Sequence, residues 1–337
     1  MCPSGGVGGR VTAIEHRYVE VNGVRLHVAE QGEGPLVVLL HGFPECWYSW
    51  RHQFAPLAEA GYRVVAPDQR GYARSSRPEG VDAYTIHQLT GDVVGLVHAL
   101  GEERAVVVGH DWGALVAWAL AQFRPDLVRG VAGLSVPPYP RGPEPMVPML
   151  RKALGDRFYF VYFQEPGLAD AELARDLRST FRRVLAGVPA GPAEGERPSR
   201  LWTAPPGGGV LDALAEPGRL PEWLTEEDID AFAAEYAPHG GAAFTGGLNW
   251  YRATTLNWEL TPAFAGAPVT PPALYVAGDR DLVTAMPGAD QIIEALPQLL
   301  PRLHRSVMLP GCGHWTQQER PHEVNEELLD FLGALEG

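Results

Sequence analysis

Short unbroken apolar runs alternate along this chain with longer stretches in which apolar side chains recur every three or four residues. Leu-Val-Val-Leu-Leu at 36–40, Val-Val-Ala at 64–66, Val-Val-Val at 106–108, Leu-Tyr-Val-Ala at 274–277 and Val-Met-Leu at 307–309 are such runs, with a shorter one at 131–134. Continuous rather than alternating apolar character marks strands buried on both faces, as in a parallel sheet covered by helices on either side. Ahead of them, residues 17–21 and 24–29 alternate around Asn22-Gly23, a dipeptide suited to a tight turn, so two antiparallel strands open the sheet. Between the runs, the spacing predicts helices over 48–60, 86–100 and from Leu115 to about Phe123. A closing helix over 321–335 carries Val324, Leu328, Phe331, Leu332 and Leu335 near one face. Strands and helices alternating at this spacing define an α/β class with a mostly parallel, doubly wound sheet.

The rhythm stops at Pro137-Pro-Tyr-Pro-Arg-Gly-Pro-Glu-Pro145 and resumes only near Pro272. Helical and aromatic patterns fill the interval at 158–164, 169–185 and 225–236, and a Pro/Gly-rich stretch at 187–219 reads as a long loop. Because the sheet pattern returns afterwards, the interval is expected to be an insert. Residues 137–256 then form a helical cap, and 1–136 with 257–337 form the core. The Gly-rich residues 1–10 read as a frayed end.

The chain is organised around Arg104-Ala-Val-Val-Val-Gly-His-Asp-Trp-Gly-Ala114. A strand that turns into a helix at small-x-X-x-small resembles the nucleophile elbow of the α/β-hydrolase fold. Glycines two before and two after the middle residue leave room for backbone that a side chain would strike. The middle residue is lifted above the sheet at a helix N-terminus, where negative charge is favoured. Here it is Asp111 rather than serine. A carboxylate attacking an acyl carbon gives a reactive anhydride, whereas displacement at saturated carbon gives an ordinary ester that water can hydrolyse. Asp111 therefore points to epoxides or alkyl halides as substrates.

In that fold the acid and the histidine follow the nucleophile in chain order. Gly278-Asp-Arg-Asp281 leaves one late strand and Gly311-Cys-Gly-His314-Trp leaves the last. Asp281 is expected to hold His314 in the working tautomer, with Asp279 the local competitor. The oxyanion donors are expected to be the N–H of Trp112 and, from His41-Gly-Phe-Pro, the N–H of Phe43. The side chains of Phe43 and Trp112 would line the pocket.

Taken together, His41-Gly-Phe-Pro-Glu45, Gly109-His-Asp-Trp-Gly113, Tyr159-Phe-Val-Tyr-Phe-Gln-Glu-Pro-Gly167, Leu248-Asn-Trp-Tyr-Arg252 and Gly311-Cys-Gly-His-Trp-Thr-Gln317 resemble the soluble epoxide hydrolases. The resemblance runs from about residue 15 onward. It implies conversion of epoxides to vicinal diols without metal or organic cofactor, through an alkyl ester on Asp111 hydrolysed by water that His314 and Asp281 activate. It also implies that two cap tyrosines, Tyr159 and Tyr251, protonate the epoxide oxygen; Tyr162 lies at helical spacing and is a competitor. Pro44, Tyr162 and Trp315 join Phe43 and Trp112 as expected pocket residues. Ala73 stands where such proteins usually carry glycine. The rival readings are a haloalkane dehalogenase using the same nucleophile and a ligand-binding protein on a hydrolase fold.

Composition removes other classes. The chain has 337 residues, 45% of them hydrophobic and 20% charged, as in an ordinary globular protein, and a net charge of −14. That charge, without a basic patch, argues against nucleic acid and anionic membranes as partners. Lys152 is the sole lysine. Cys2, Cys46 and Cys312 are few, odd in number and far apart, so neither a disulfide framework nor a zinc site is indicated. No apolar run has the length of a membrane span or the form of a signal peptide. The expectation is a monomer or homodimer in a reducing bacterial cytoplasm, acting on a small-molecule epoxide.

Overall fold

The computed structural model of the protein describes residues 13–187, 202–284 and 286–336. The strands are β1 (Glu15–Val21), β2 (Val24–Gln31), β3 (Leu36–Leu40), β4 (Arg63–Pro67), β5 (Ala105–His110), β6 (Val128–Leu134), β7 (Ala273–Gly278) and β8 (Leu303–Leu309). They form one sheet in the order β1-β2-β4-β3-β5-β6-β7-β8. β2 pairs antiparallel with β1 and β4, and every other pairing is parallel. The hairpin turn falls on Asn22 and Gly23, both at positive φ. The unbroken apolar runs of β3, β5 and β7 are wholly buried, and that of β4 is buried too. The run at 307–309 lies instead in the edge strand β8, where Val307 is half-buried and Met308 exposed because no further strand covers that edge.

Between strands lie α1 (Phe54–Glu59), α2 (Ile86–Ala99) and α3 (Trp112–Phe123). The insert after β6 holds α4 (Met146–Leu154), α5 (Tyr159–Tyr162), α6 (Leu168–Ala174), α7 (Leu177–Ala186), α8 (Glu226–Tyr236), α9 (Thr245–Arg252) and α10 (Thr254–Leu260). The last part of the chain adds α11 (Ala289–Glu294), α12 (Leu296–Leu299), α13 (Thr316–Glu319) and α14 (Pro321–Ala334). α1 and α14 pack through Phe54, Leu57, Leu328 and Phe331 on one face of the sheet. α2 and α3 cover the other through Leu89, Val93, Val116 and Leu120, in a core continuous with the helical insert. Helices on both faces of one mostly parallel sheet make this the doubly wound α/β arrangement that the chain pattern indicates.

Three local readings differ. The single helix expected over 48–60 is a 3-10 turn, Trp47–Trp50, followed by α1. Pro56 has no N–H for a helix running through it, but fits the first turn of α1, where none is needed. Of the stretch read as a long loop, 188–201 lies outside the described residues, as do residues 1–10. The remainder is partly ordered, with a β-bridge from Thr203 to Phe158 and a 3-10 turn at Val210–Ala213. α10 also runs across residue 256, so helical structure continues past the expected cap boundary. No helix among the described residues is long and apolar enough to cross a membrane.

The chain passes from β3 outward to β4 and then back past β3 to β5. Loops leaving β3 and β5 therefore part in opposite directions and open a crevice at the C-terminal edge of the sheet. The turn from β5 into α3 is built on contacts closer than any side chain allows. A Cβ on Gly109 would lie 2.1 Å from Gly113 O, and one on Gly113 would lie 2.0 Å from Leu40 O. Gly113→Ala should accordingly cost about 3 kcal/mol of unfolding free energy by urea denaturation, because the obstructing atoms are backbone and cannot rotate away. A loss below about 0.5 kcal/mol, the size of an ordinary surface change, would contradict this geometry.

Candidate active site

Asp111 occupies the N-cap of α3 with φ 52° and ψ −119°, a left-handed conformation that raises its carboxylate over the sheet edge. Phe43 N–H donates to its Oδ1 at 2.8 Å. Gly42 makes this possible, since a Cβ there would stand 2.3 Å from the same oxygen. The N–H of Trp112 belongs to the first turn of α3, where backbone donors have no helical partner. The other oxygen, Oδ2, lies 3.6 Å from His314 Nε2. On its far side His314 Nδ1 is 2.9 Å from Asp281 Oδ1, which also accepts the Val283 N–H at 2.8 Å. Asp279 is a turn residue instead, its Oδ1 accepting Gly311 N–H at 2.7 Å. The loops after β3, β5, β7 and β8 thus bring Phe43, Asp111, Asp281 and His314 to one point.

His314 is buried, which by itself lowers its pKa. The negative charges of Asp281 and Asp111 and its bonds to both outweigh that burial and raise it well above 6.5. The two neighbouring carboxyl groups thus favour the protonated form of the ring over the neutral one. Its backbone is fixed as well: the His314 carbonyl accepts from Ser135 Oγ at 2.7 Å and is 2.8 Å from His110 Nε2. His110 Nδ1 pairs with Glu45 Oε2 at 2.7 Å, and Glu45 Oε1 accepts from the amides of Gln317 and Gln318 at 3.0 Å. Burial pushes the Glu45 carboxyl up, but His110 beside it and the Gly42 N–H bring it down to about 2. Sequence reasoning did not find this buried relay. The sign it left was a charged residue, Glu45, among apolar neighbours, next to a loop with a catalytic role.

From the insert, Tyr251 on α9 meets Trp112 and Phe43 edge-on, with ring centroids 4.9 and 5.3 Å apart. Tyr159, which opens α5, lies 6.1 Å from Tyr251. Burial first, and the field of Asp111 second, raise both phenols well above their ordinary range, so both are neutral donors. The two helices are tied together: Gln164 donates to the carbonyls of Phe160 and Tyr251, and Arg252 to the Phe163 carbonyl. Tyr162 differs from the pocket role expected of it. Its hydroxyl donates to Glu172 Oε2 at 2.9 Å, and the Glu172 carboxylate also accepts the N–H groups of Val210 and Leu211. Trp315 is buried edge-on against His314, 4.8 Å between centroids, and Pro44 is buried behind a cis peptide bond to Phe43.

Two carboxylates flanking a histidine on loops at the C-terminal edge of this sheet are the arrangement of an α/β-fold hydrolase. The alpha/beta hydrolase fold family matches residues 35–321. The chain is 48% identical over 327 residues to Epoxide hydrolase A of Mycobacterium tuberculosis, covering 96% of this chain and 99% of that one. It is 38% identical to Bifunctional epoxide hydrolase 2 of Sus scrofa, covering 95% of this chain and 56% of that longer protein. Among solved structures it is similar to Epoxide Hydrolase A from Mycobacterium thermoresistibile, with a TM-score of 0.87, 50% identity and coverage of 95% and 98%. The chain belongs to the epoxide hydrolases of the α/β-hydrolase fold.

The raised pKa of His314 has a thermodynamic consequence. Protonation favours the folded state, so this contribution is complete below the unfolded value near 6.5 and fades as pH rises through the elevated folded value. The stability difference between the wild type and His314→Gln should therefore be largest at mildly acid pH and shrink in alkali. Urea unfolding at a series of pH values measures it. A difference that grew with pH would show that the ring is neutral at rest.

Proposed function

We propose that this protein hydrolyses epoxides to vicinal diols in two chemical steps on Asp111. The observation that carries the reading is a carboxylate held between a backbone donor and His314, with the half-buried phenol of Tyr159 and the buried phenol of Tyr251 close by. Oδ1 is engaged by Phe43 N–H, so Oδ2, which faces His314 Nε2 at 3.6 Å, is the oxygen that attacks an epoxide carbon from behind. Strain assists the break, but the departing oxygen becomes an alkoxide unless an acid reaches it; Tyr159 and Tyr251 supply the proton. The product of this step is an ester whose carbonyl oxygen is Oδ1, already seated on its donor.

Esterification removes the charge of Asp111 and with it one of the two causes that hold His314 protonated. The imidazolium then gives up its proton while the phenolate left by ring opening regains one. Neutral His314, oriented by Asp281, takes a proton from water, which attacks the ester carbon. Phe43 N–H and Trp112 N–H stabilise the oxyanion that forms on Oδ1. Its collapse breaks the ester C–O bond, the proton of the added hydroxyl passes to the departing alkoxide, and the diol leaves Asp111 as a carboxylate beside a protonated His314. Catalysis in this scheme needs no metal. A halide leaving group needs anion donors rather than proton donors, so the paired phenols favour an epoxide over an alkyl halide. The buried free thiols of Cys46 and Cys312 suit a reducing bacterial cytoplasm.

The mechanism is tested by separating the steps. His314→Gln, mixed with styrene oxide, should accumulate enzyme plus one substrate mass on the peptide containing Asp111. Wild type turning over once in ¹⁸O water should place label in Asp111. Heavy oxygen appearing only in the diol, with no adduct, would replace this scheme by direct attack of water. Tyr159→Phe and Tyr251→Phe should each slow adduct formation by about 10²-fold, the usual contribution of one positioned acid. Loss of little volume leaves stability nearly unchanged. Unaltered rates in both would remove the phenols from the chemistry.

A further inference from the structure

α9 carries an unusual start for a helix: Gly246 and Gly247 stand side by side in its first turn, and glycine is the weakest helix former apart from proline. What surrounds them gives the reason. A Cβ on Gly246 would lie 2.2 Å from Gly71 O and 2.4 Å from Gly71 Cα, and a Cβ on Gly71 would lie 2.8 Å from Gly246 Cα. Here the backbone of the insert rests directly on the backbone of the loop that follows β4. One residue further on, a Cβ on Gly247 would lie 2.9 Å from both Phe43 Cδ2 and Tyr72 Cε1. The same helix is fastened to the same loop by Trp250 Nε1, which donates to Arg70 O at 3.0 Å. That loop is itself immobilised, since the buried Arg70 guanidinium grips Asp92 through two nitrogens and donates to Ala83 O. Tyr251 follows Trp250 directly.

We propose that Gly246 is a positioning residue for Tyr251: its missing side chain lets α9 sit on the Gly71 backbone, and that seat sets the height of the phenol above Asp111. The inference rests on the reading of Tyr251 as a proton donor. An added methyl at Gly246 meets main chain on the opposite side and has no rotamer to escape into, so the helix must rise. The reaction's second step uses His314, Asp281 and the oxyanion donors, all of which lie on core loops and do not depend on that height. The seat therefore acts on ring opening and leaves ester hydrolysis alone.

Rapid-quench single turnovers with styrene oxide, following adduct mass on the Asp111 peptide and diol release, separate the two rates. Gly246→Ala should slow adduct formation by about 10- to 100-fold, as displacement of a catalytic group by an ångström does, and change adduct breakdown by less than about threefold. Trp250→Phe, which loses the bond to Arg70 O, should act in the same direction more weakly and serves if Gly246→Ala does not fold. In a Tyr251→Phe background, Gly246→Ala should change adduct formation less than about threefold, because the group it positions is already gone. Equal slowing of both steps, or an undiminished effect in the Tyr251→Phe background, would make Gly246 a packing residue and overturn the proposal. The wild type forming the Asp111 adduct in the same experiment keeps that outcome separate from a failure of the catalytic scheme.

Discussion

The close approach of two backbone loops at Asp111 is the constraint on which the rest of the structure depends. The carboxylate reaches Phe43 N–H only because Gly42, Gly109 and Gly113 each vacate a position where a Cβ would lie within 2.3 Å of another atom. The reversal of winding at β3 makes the crevice, and the three glycines let the loops that flank it come within hydrogen-bonding distance. A left-handed aspartate is sterically costly on its own, of the order of 1–3 kcal/mol. Here it is held by wholly buried strands on either side of the turn and by α3 beyond it.

Once that carboxylate is fixed, the electrostatics of the site follow. Asp111 and Asp281 flank His314 and hold its proton, and Glu45 is ionised one layer below by His110. The layers do not share a charge, but they share a backbone. The His314 carbonyl is the group that Ser135 and His110 grip, so the buried Glu45 relay sets where the imidazole stands while the carboxylates set its charge. In the proposed scheme the same carboxylate also switches its base: converting Asp111 from anion to ester weakens the hold on the His314 proton at the stage when a neutral ring is needed.

How much of this can be read from sequence depends on the range of the interaction. The hairpin at Asn22-Gly23, the unbroken strands β3, β5 and β7, and the elbow glycines are legible because each rests on contacts between near neighbours or on burial of a whole segment. Asp281 and His314 are legible by their place after successive strands, since topology fixes where such loops emerge. The Glu45–His110 pair spans 65 residues and the Glu45–Gln317 bond 272, and no periodicity records either. Tyr162 shows the limit in the other direction. Helical spacing puts it beside Tyr159, but Glu172, ten residues on, claims its hydroxyl and holds the Val210 turn with it. Local pattern says which face a side chain shares, not which partner waits on that face.

The same limit explains why the helical insert was the least legible part and yet completes the site. The insert brings Tyr159 and Tyr251 together over loops of the core from positions about ninety residues apart. Gln164 and Arg252 bind α5 and α9 into one piece, so Tyr159 and Tyr251 keep a fixed relation to each other whatever the outer loops do. A piece that rigid needs only a few contacts to be registered on the core. The glycine contact supplies one at the start of α9, and Trp250 on Arg70 O together with Tyr251 against Trp112 and Phe43 supplies the rest near its end. The surrounding aromatic wall, which includes Phe160 and Phe163, is apolar and bulky, and both rings pack edge-on against Tyr251 at 5.0 Å between centroids. The insert leaves the Asp111 side chain only 16% exposed. In the proposed scheme a carboxylate with less water around it is a better nucleophile toward carbon, while the phenols remain un-ionised beside it. In that scheme, chemistry that a lone aspartate in water performs poorly depends on where the insert sits.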